Sequence, residues 1–146
     1  MVLVVLFCVP KFINIKPYVV SSGSMIPKYQ VGSLIYVKKI DPKYLKIGDP
    51  ITFYMDDDKT VATHEIYKID IENKLFYTQG INNKDNEGNI IHDAKPVGFS
   101  NLIGKPIFCI PYLGFINRII TTSPGINIII VFTIIVILIS YMLDKK

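Results

Sequence analysis

The chain has 146 residues, half of them hydrophobic, and a formal net charge of +4; its mean hydropathy is +0.37. That length limits it to one compact domain with membrane anchors, and the hydropathy is high for a protein wholly in water. The positive charge suits an anionic lipid surface, whereas the lysines between Lys11 and Lys105 form no long run, which argues against a nucleic-acid groove.

Most of the apolar excess lies at the two ends. Met1 to Val9 read MVLVVLFCV. Helix over this run rises only about 14 Å, roughly half the hydrocarbon core, before Pro10 and Lys11 end it. It reads as a partial membrane anchor: an interfacial segment, or the end of a longer spanning helix if Met1 is not the true start. A cleavable leader fits less well, since no basic stretch precedes the run and no A-x-A site follows. Cys8 in this run and Cys109 share no metal-ligand spacing, and a disulfide between them is not expected.

From Phe12 onward Lys16-Pro17 breaks any helix, and Tyr18-Val19-Val20 reads as a short strand. It leads into Ser21-Ser22-Gly23-Ser24-Met25-Ile26-Pro27, where three hydroxyls fall within four residues. Gly23 permits backbone shapes closed to other residues, and Pro27 biases Ile26 toward an extended conformation. Such a segment is stiff enough to aim one hydroxyl, although taken alone it is ordinary turn chemistry.

Strands are then expected over Ser33–Lys38 and Ile51–Tyr54, rich in β-forming residues, with turns at Asp41-Pro42-Lys43 and Lys46-Ile47-Gly48-Asp49-Pro50. Asp56 to Lys59 reads as a solvated hairpin tip; the spacing of a calcium loop is missing. Thr60 to Ile69 is a strand carrying His64, and Leu75 to Gln79 is its hairpin partner. Gly80 to Pro96, rich in Asn, Asp and Gly, reads as a loop. Ile103 to Ile110 returns to strand, with Pro106 marking an edge or a bulge. Short strands separated by turns predict a mainly β fold: a β-rich domain over residues 10–122.

Tyr112 to Ile120 is a candidate surface helix, and Ser123-Pro124-Gly125 is punctuation. Ile126 to Leu143 gives 18 residues without a charge, the length of a transmembrane helix. A small β domain has no core large enough to hide a helix apolar on every side. The expected layout is therefore a helix over 125–143 and a tail at 144–146. Lys145-Lys146 favours a cytoplasmic C-terminus.

A serine hydroxyl is a poor nucleophile until a base takes its proton. His64 is the natural base, since imidazole ordinarily titrates near neutrality. Alternation puts Ala62, His64 and Ile66 on one face of their strand. His64-Glu65 also begins a zinc-protease H-E-x-x-H, but position 68 is Lys, so that chemistry is excluded. No spacing asks for a metal or a cofactor. Asp85, Glu87 and Asp93 are the carboxylates available to orient the imidazole, and His92 is a fallback base.

The string S-G-S-M-I-P, Thr63-His64-Glu65 and the hydrophobic tail resemble signal peptidase I, with the archaeal and endoplasmic-reticulum type as the nearest likeness. Gly48-Asp49, Ile103-Gly104-Lys105 and Pro111-Tyr112-Leu113-Gly114 extend the resemblance across most of Ser21 to Gly114. The resemblance implies Ser24 as nucleophile, His64 as base, and an oxyanion hole from the Ser24 amide and the Ser22 hydroxyl. Relatives carry Gly-Asp-Asn-Asn where this chain has Gly80-Ile81-Asn82-Asn83, so the acid at that position is gone. Asp93, in Asp93-Ala94-Lys95-Pro96-Val97, resembles a D-x-x-P-V ending and is preferred as the acid, with Asp85 the alternative and Asn86 to His92 an insertion turning around Gly88.

The implied activity is that of a membrane-bound serine endopeptidase on the extracytoplasmic face. It would cleave signal peptides from exported preproteins after small residues, beside the bilayer and the export translocon. Val20, Met25 and Ile26 are candidates for shallow substrate pockets, and each could equally be core. The departure at Ile81 leaves a second expectation, a catalytically silent anchored β module that binds secretion partners. A soluble, lysine-dependent self-cleaving peptidase of the repressor type fits neither His64 nor the apolar tail.

Overall fold

The computed structural model describes residues 14–55, 60–115 and 123–144. The expected N-terminal stub, the Asp56–Lys59 hairpin tip, residues 116–120 of the expected surface helix and the Lys145-Lys146 tail lie outside the described residues. Among the described residues, eight strands form one antiparallel sheet: β1 (Ile15–Val19), β2 (Leu34–Lys38), β3 (Pro50–Tyr54), β4 (Val61–Asp70), β5 (Leu75–Lys84), β6 (Ile90–His92), β7 (Val97–Gly98) and β8 (Leu102–Ile110). Their order across the sheet is β1-β2-β8-β3-β4-β5-β6, with β7 paired to β5. The mainly β expectation therefore holds.

Two of the expectations need correction. Gly80 to Pro96 is not a loop throughout. β5 runs on to Lys84, and Ile90–His92 returns as β6. The turn between them closes on Asp85, whose N–H donates to Asn89 O at 2.9 Å while Gly88 N–H donates to Asp85 O at 3.1 Å. Gly88 adopts φ +88 there. Asn and Asp disfavour strands intrinsically, but cross-strand pairing outweighs that preference here. Ser123-Pro124-Gly125 is likewise not a break, because helix α1 begins at Ser123 and runs to Asp144. Proline is tolerated in a first helical turn, where its missing N–H would have no partner anyway.

Pro106 sits at a bulge rather than an edge. β8 is central, between β2 and β3, and its register shifts where Tyr36 faces Phe108 and Val37 faces Pro106. Proline removes a ladder hydrogen bond, and a bulge is where a central strand can spare one.

Two apolar clusters hold the sheet. The first joins Leu45, Ile51, Phe53, Ile66, Phe76 and Val97. The second joins Met25, Tyr29, Ile35 and Val37, with Val20, Ile81, Ile103 and Cys109 packed against it. Burial, and then the charge of Cys109, push the Tyr29 phenol up to about 12, so this ring sits in the core as a neutral group. Ile81 packs against this apolar cluster. Cys109 is a free thiol; Cys8 lies outside the described residues.

The expected spanning segment falls within α1, a helix of 22 residues. Several of its side chains, among them Ile128, Ile129, Leu138 and Ile139, lie outside the described residues. Among those described, no helix is long and apolar enough to cross a membrane. The anchor therefore rests on the sequence alone.

The blocks Gly48-Asp49 and Ile103-Gly104-Lys105 meet in the fold. Lys105 Nζ donates to Asp49 Oδ1 at 2.6 Å, and Lys46 N–H donates to Asp49 Oδ2 at 3.0 Å. Burial pushes the Asp49 carboxyl up. The Lys105 and Lys46 hydrogen bonds, with the charges of Lys105 and Lys28, outweigh that and hold it below the usual carboxylate range. A carboxyl with a lower folded than unfolded pKa stabilises the fold above its unfolded value of about 3.9, and loses that contribution as pH falls through the folded value. Lys105→Met is accordingly expected to melt below the parent protein at neutral pH, with the gap narrowing below about pH 4; melting curves across pH check this. Gly104 has no room for a side chain, because a Cβ there would lie 2.2 Å from the Lys38 carbonyl oxygen. Gly104→Ala should lose at least about 2 kcal/mol of stability through forced backbone movement, read as a fall in the urea midpoint.

Candidate functional site

The serine segment forms a compact turn after β1. Ile26 N–H donates to Gly23 O at 3.1 Å and Tyr29 N–H to Met25 O at 2.9 Å. Met25 is 2 % exposed and pinned in the second apolar cluster, which fixes the backbone beside Ser24. From the other side, Asn82 N–H donates to Ser24 O at 2.8 Å and Asn82 Nδ2 to Gly23 O at 3.0 Å. Gly80 allows the close approach of turn and strand, since a Cβ there would come 3.0 Å from Ser24 Cβ and 2.5 Å from Asn83 Nδ2.

His64 stands on β4 opposite Ile51 of β3, with the Phe53 ring edge-on at 6.3 Å between centroids. Ile51 and Phe53 give it apolar neighbours on β3, while polar partners meet its ring nitrogens. The structure brings Ser24, His64 and Asp93 into one hydrogen-bonded chain. His64 Nε2 lies 3.1 Å from Ser24 Oγ, and His64 Nδ1 lies 2.6 Å from Asp93 Oδ2. A carboxylate only accepts, so Nδ1 carries a proton and donates to Asp93. The Nε2 lone pair then faces the serine hydroxyl, the arrangement a general base requires. The His64 side chain is 16 % exposed, so little water competes for either nitrogen.

Ser22 Oγ lies 3.2 Å from Ser24 Oγ, beside the place where a reacting carbonyl would meet the nucleophile. Serine, imidazole and carboxylate all border a cleft of about 830 Å³ whose walls include Tyr18, Val20, Ile35, Tyr54 and Ala94. A cleft of that size lies in the range of ligand-binding sites.

The remaining candidates separate. Asp85 closes its own turn, accepting from Glu87 N–H at 2.9 Å and Asn89 N–H at 2.8 Å. These bonds, with that of the Asn89 side chain first among them, hold its carboxyl below the usual range. Glu87 meets only that turn, where Asn89 Nδ2 reaches it at 3.4 Å. His92 stacks on Tyr67, ring centroids 3.9 Å apart, and has no hydrogen bond to Ser24. Of the pocket candidates, Val20 lines the cleft, and Met25 touches it while lying in the core. Ile26 is not among the residues bordering this cleft; its side chain packs over Gly23, 3.2 Å from where a Cβ would stand. Glu65 pairs with Lys28 at 3.5 Å. Lys68 Nζ lies 4.8 Å from the Tyr77 ring centroid, in cation–π contact. Among the described residues no group of three or more His, Cys, Asp or Glu side chains is placed to hold a metal ion.

Sequence reasoning missed Thr78 and Asn82. Thr78 Oγ1 donates to Asp93 Oδ2 at 2.6 Å, and Asn82 ties the serine turn. Both share a strand face with Gly80, at the period of two that strands impose. That alternation was the available signal.

No family model matches the chain. Among curated proteins, it is 44 % identical over 86 residues to signal peptidase I W of Bacillus subtilis (strain 168), a match covering 57 % of this chain and 42 % of that protein. It is 26 % identical over 126 residues to the signal peptidase complex catalytic subunit sec11 of Dictyostelium discoideum, covering 84 % and 70 %. The SEC11 subunit of Lodderomyces elongisporus is 27 % identical over 111 residues, covering 72 % and 65 %. The chain thus spans under half the length of the bacterial relative. Filling the space at Gly80 is expected to displace the serine: a crystal structure of Gly80→Ala should show Ser24 Oγ beyond about 3.5 Å from His64 Nε2, out of hydrogen-bond reach.

Proposed function

We propose that the chain is a membrane-bound serine endopeptidase of the signal peptidase I type, cleaving signal peptides from exported preproteins after small residues, a reading supported by its similarity to curated signal peptidases. The observation that carries the reading is the continuous Ser24–His64–Asp93 hydrogen-bond chain at the cleft.

In the proposed mechanism Ser24 Oγ attacks the scissile carbonyl as its proton passes to His64 Nε2. Asp93 holds the ring in the required tautomer and stabilises the imidazolium without taking the proton. The tetrahedral oxyanion is met by the Ser24 amide and the Ser22 hydroxyl, a donor pair of the kind whose single loss typically costs about 10²–10³ in rate. His64 then returns the proton to the leaving amine, and water repeats the sequence on the acyl-enzyme. The cleft wall around Val20 and Ile35 is apolar and admits an extended chain with small side chains at the positions nearest the cut.

α1 is the proposed anchor. It rises about 33 Å along its axis, enough for the hydrocarbon core, and the stretch from Ile126 to Leu143 carries no charge. Exposed apolar side chains run consecutively from Ile134 to Ile137, around the helix rather than along one stripe. Anchoring would hold enzyme and preprotein in one plane and raise their effective concentration. The β domain would then face the extracytoplasmic side, with the export translocon as a neighbour.

Ser24→Ala and His64→Ala should each abolish preprotein cleavage in membranes while the protein still folds. Asp93→Asn should reduce cleavage by about 10⁴, the loss expected when an imidazole loses its orienting acid, and Asp85→Asn should stay near the parent rate. Lys68→Ala should also leave cleavage intact. Full cleavage by folded Ser24→Ala would end the endopeptidase reading and leave a silent anchored module.

A further inference from the structure

The acid of the proposed triad is poorly placed to hold itself still. Asp93 lies on no strand; it opens the short link between β6, which ends at His92, and β7, which begins at Val97. Its neighbours Ala94, Lys95 and Pro96 are exposed. His64 and Thr78, in contrast, stand on the adjacent paired strands β4 and β5.

Besides the bond from His64, two hydrogen bonds tie Asp93 to one residue of β5. Asp93 N–H donates to Thr78 O at 2.9 Å, and Thr78 Oγ1 donates to Asp93 Oδ2 at 2.6 Å. Backbone and side chain are thus clamped reciprocally. The oxygen Thr78 grips is the one that accepts from His64 Nδ1. We propose that Thr78 is a positioning residue, whose hydroxyl locks the Asp93 carboxylate in the orientation that steers His64 toward Ser24.

The chemistry suits the task. A hydroxyl bond to a carboxylate is charge-assisted and stronger than a neutral one. Thr78 is 1 % exposed, so bulk water cannot readily substitute for the hydroxyl. It faces Ile66 across the β4–β5 ladder, and its β-branch leaves the side chain few rotamers. The carboxylate is therefore referred to the same pair of strands that carries His64. Alternation along β5 then places Gly80 against Ser24 and Asn82 on the serine turn, so one strand face sets both ends of the chain.

The inference rests on the endopeptidase reading for its rate effect but not for its geometric effect, and the test reads both. Full-length Thr78→Val, Thr78→Ala and Thr78→Ser proteins are compared with the parent in detergent. The readouts are kcat and KM on a peptide with an A-x-A site, the melting temperature, and the ¹H–¹⁵N resonance of the His64 Nδ1 proton, assigned by its loss in His64→Gln. Removing the hydroxyl is expected to lower kcat by about ten- to a hundredfold, as a lost bond to a charged group would. KM should stay within about twofold, and the Nδ1 proton should lose its downfield shift or broaden through exchange. Thr78→Ser should restore both the rate and the resonance, separating the hydroxyl from the methyl. Alanine guards against misfolding of the valine protein. An unchanged resonance and kcat in folded Thr78→Val or Thr78→Ala would overturn the proposal. A parent that cleaves nothing, yet whose resonance responds to loss of the hydroxyl, would overturn the endopeptidase reading while leaving the clamp in place.

Discussion

The site depends on an imidazole held at both nitrogens. His64 is fixed by a carboxylate 2.6 Å from Nδ1 and meets a serine hydroxyl 3.1 Å from Nε2. Neither partner is near in sequence, so the rest of the fold can be read as the means of bringing a turn after β1 and a link after β6 to opposite ends of one ring. β4 supplies the ring. The neighbouring strand β5 reaches both partners through Thr78 and Asn82, and Gly80 permits the close contact between them.

Two apolar clusters make that geometry rigid. One lies beneath β3, β4 and β5 and fixes the strand bearing His64. The other buries Met25, the residue directly after Ser24, among Tyr29, Ile35 and Val37. Ser24 is thus anchored by the core through its neighbour while it borders the cleft. Ile81 packs against this second cluster, and the carboxylate that meets the imidazole is Asp93, further along the chain.

Much of this was legible in the residues. Runs such as Ser33–Lys38 and Ile51–Tyr54 announce strands by composition, and period-two alternation sets His64 on one strand face with Ala62 and Ile66. The serine motif and the histidine were singled out because their residue types suit the chemistry. The far half of β5 and the whole of β6 were not legible, because Asn82, Asn83 and Asn89 read as loop until a partner strand and a turn claim their hydrogen bonds. Proximity to Ser24 in sequence says nothing about direction, and the Ile26 side chain lies over Gly23. Thr78 was passed over since a threonine in a strand is unremarkable unless something buried faces its hydroxyl. The bulge at Pro106 was foreseen as one of two outcomes, and only the central position of β8 decides between them.

The central claim is that Ser24 and His64 act as a single unit. The measurement that tests it most directly is preprotein turnover in membranes by Ser24→Ala, His64→Ala and the double variant, each corrected to equal folded protein. If one proton passes between the two groups, removing both should cost no more than removing either one. Losses that multiply, with each single variant keeping a substantial rate of its own, would contradict the account.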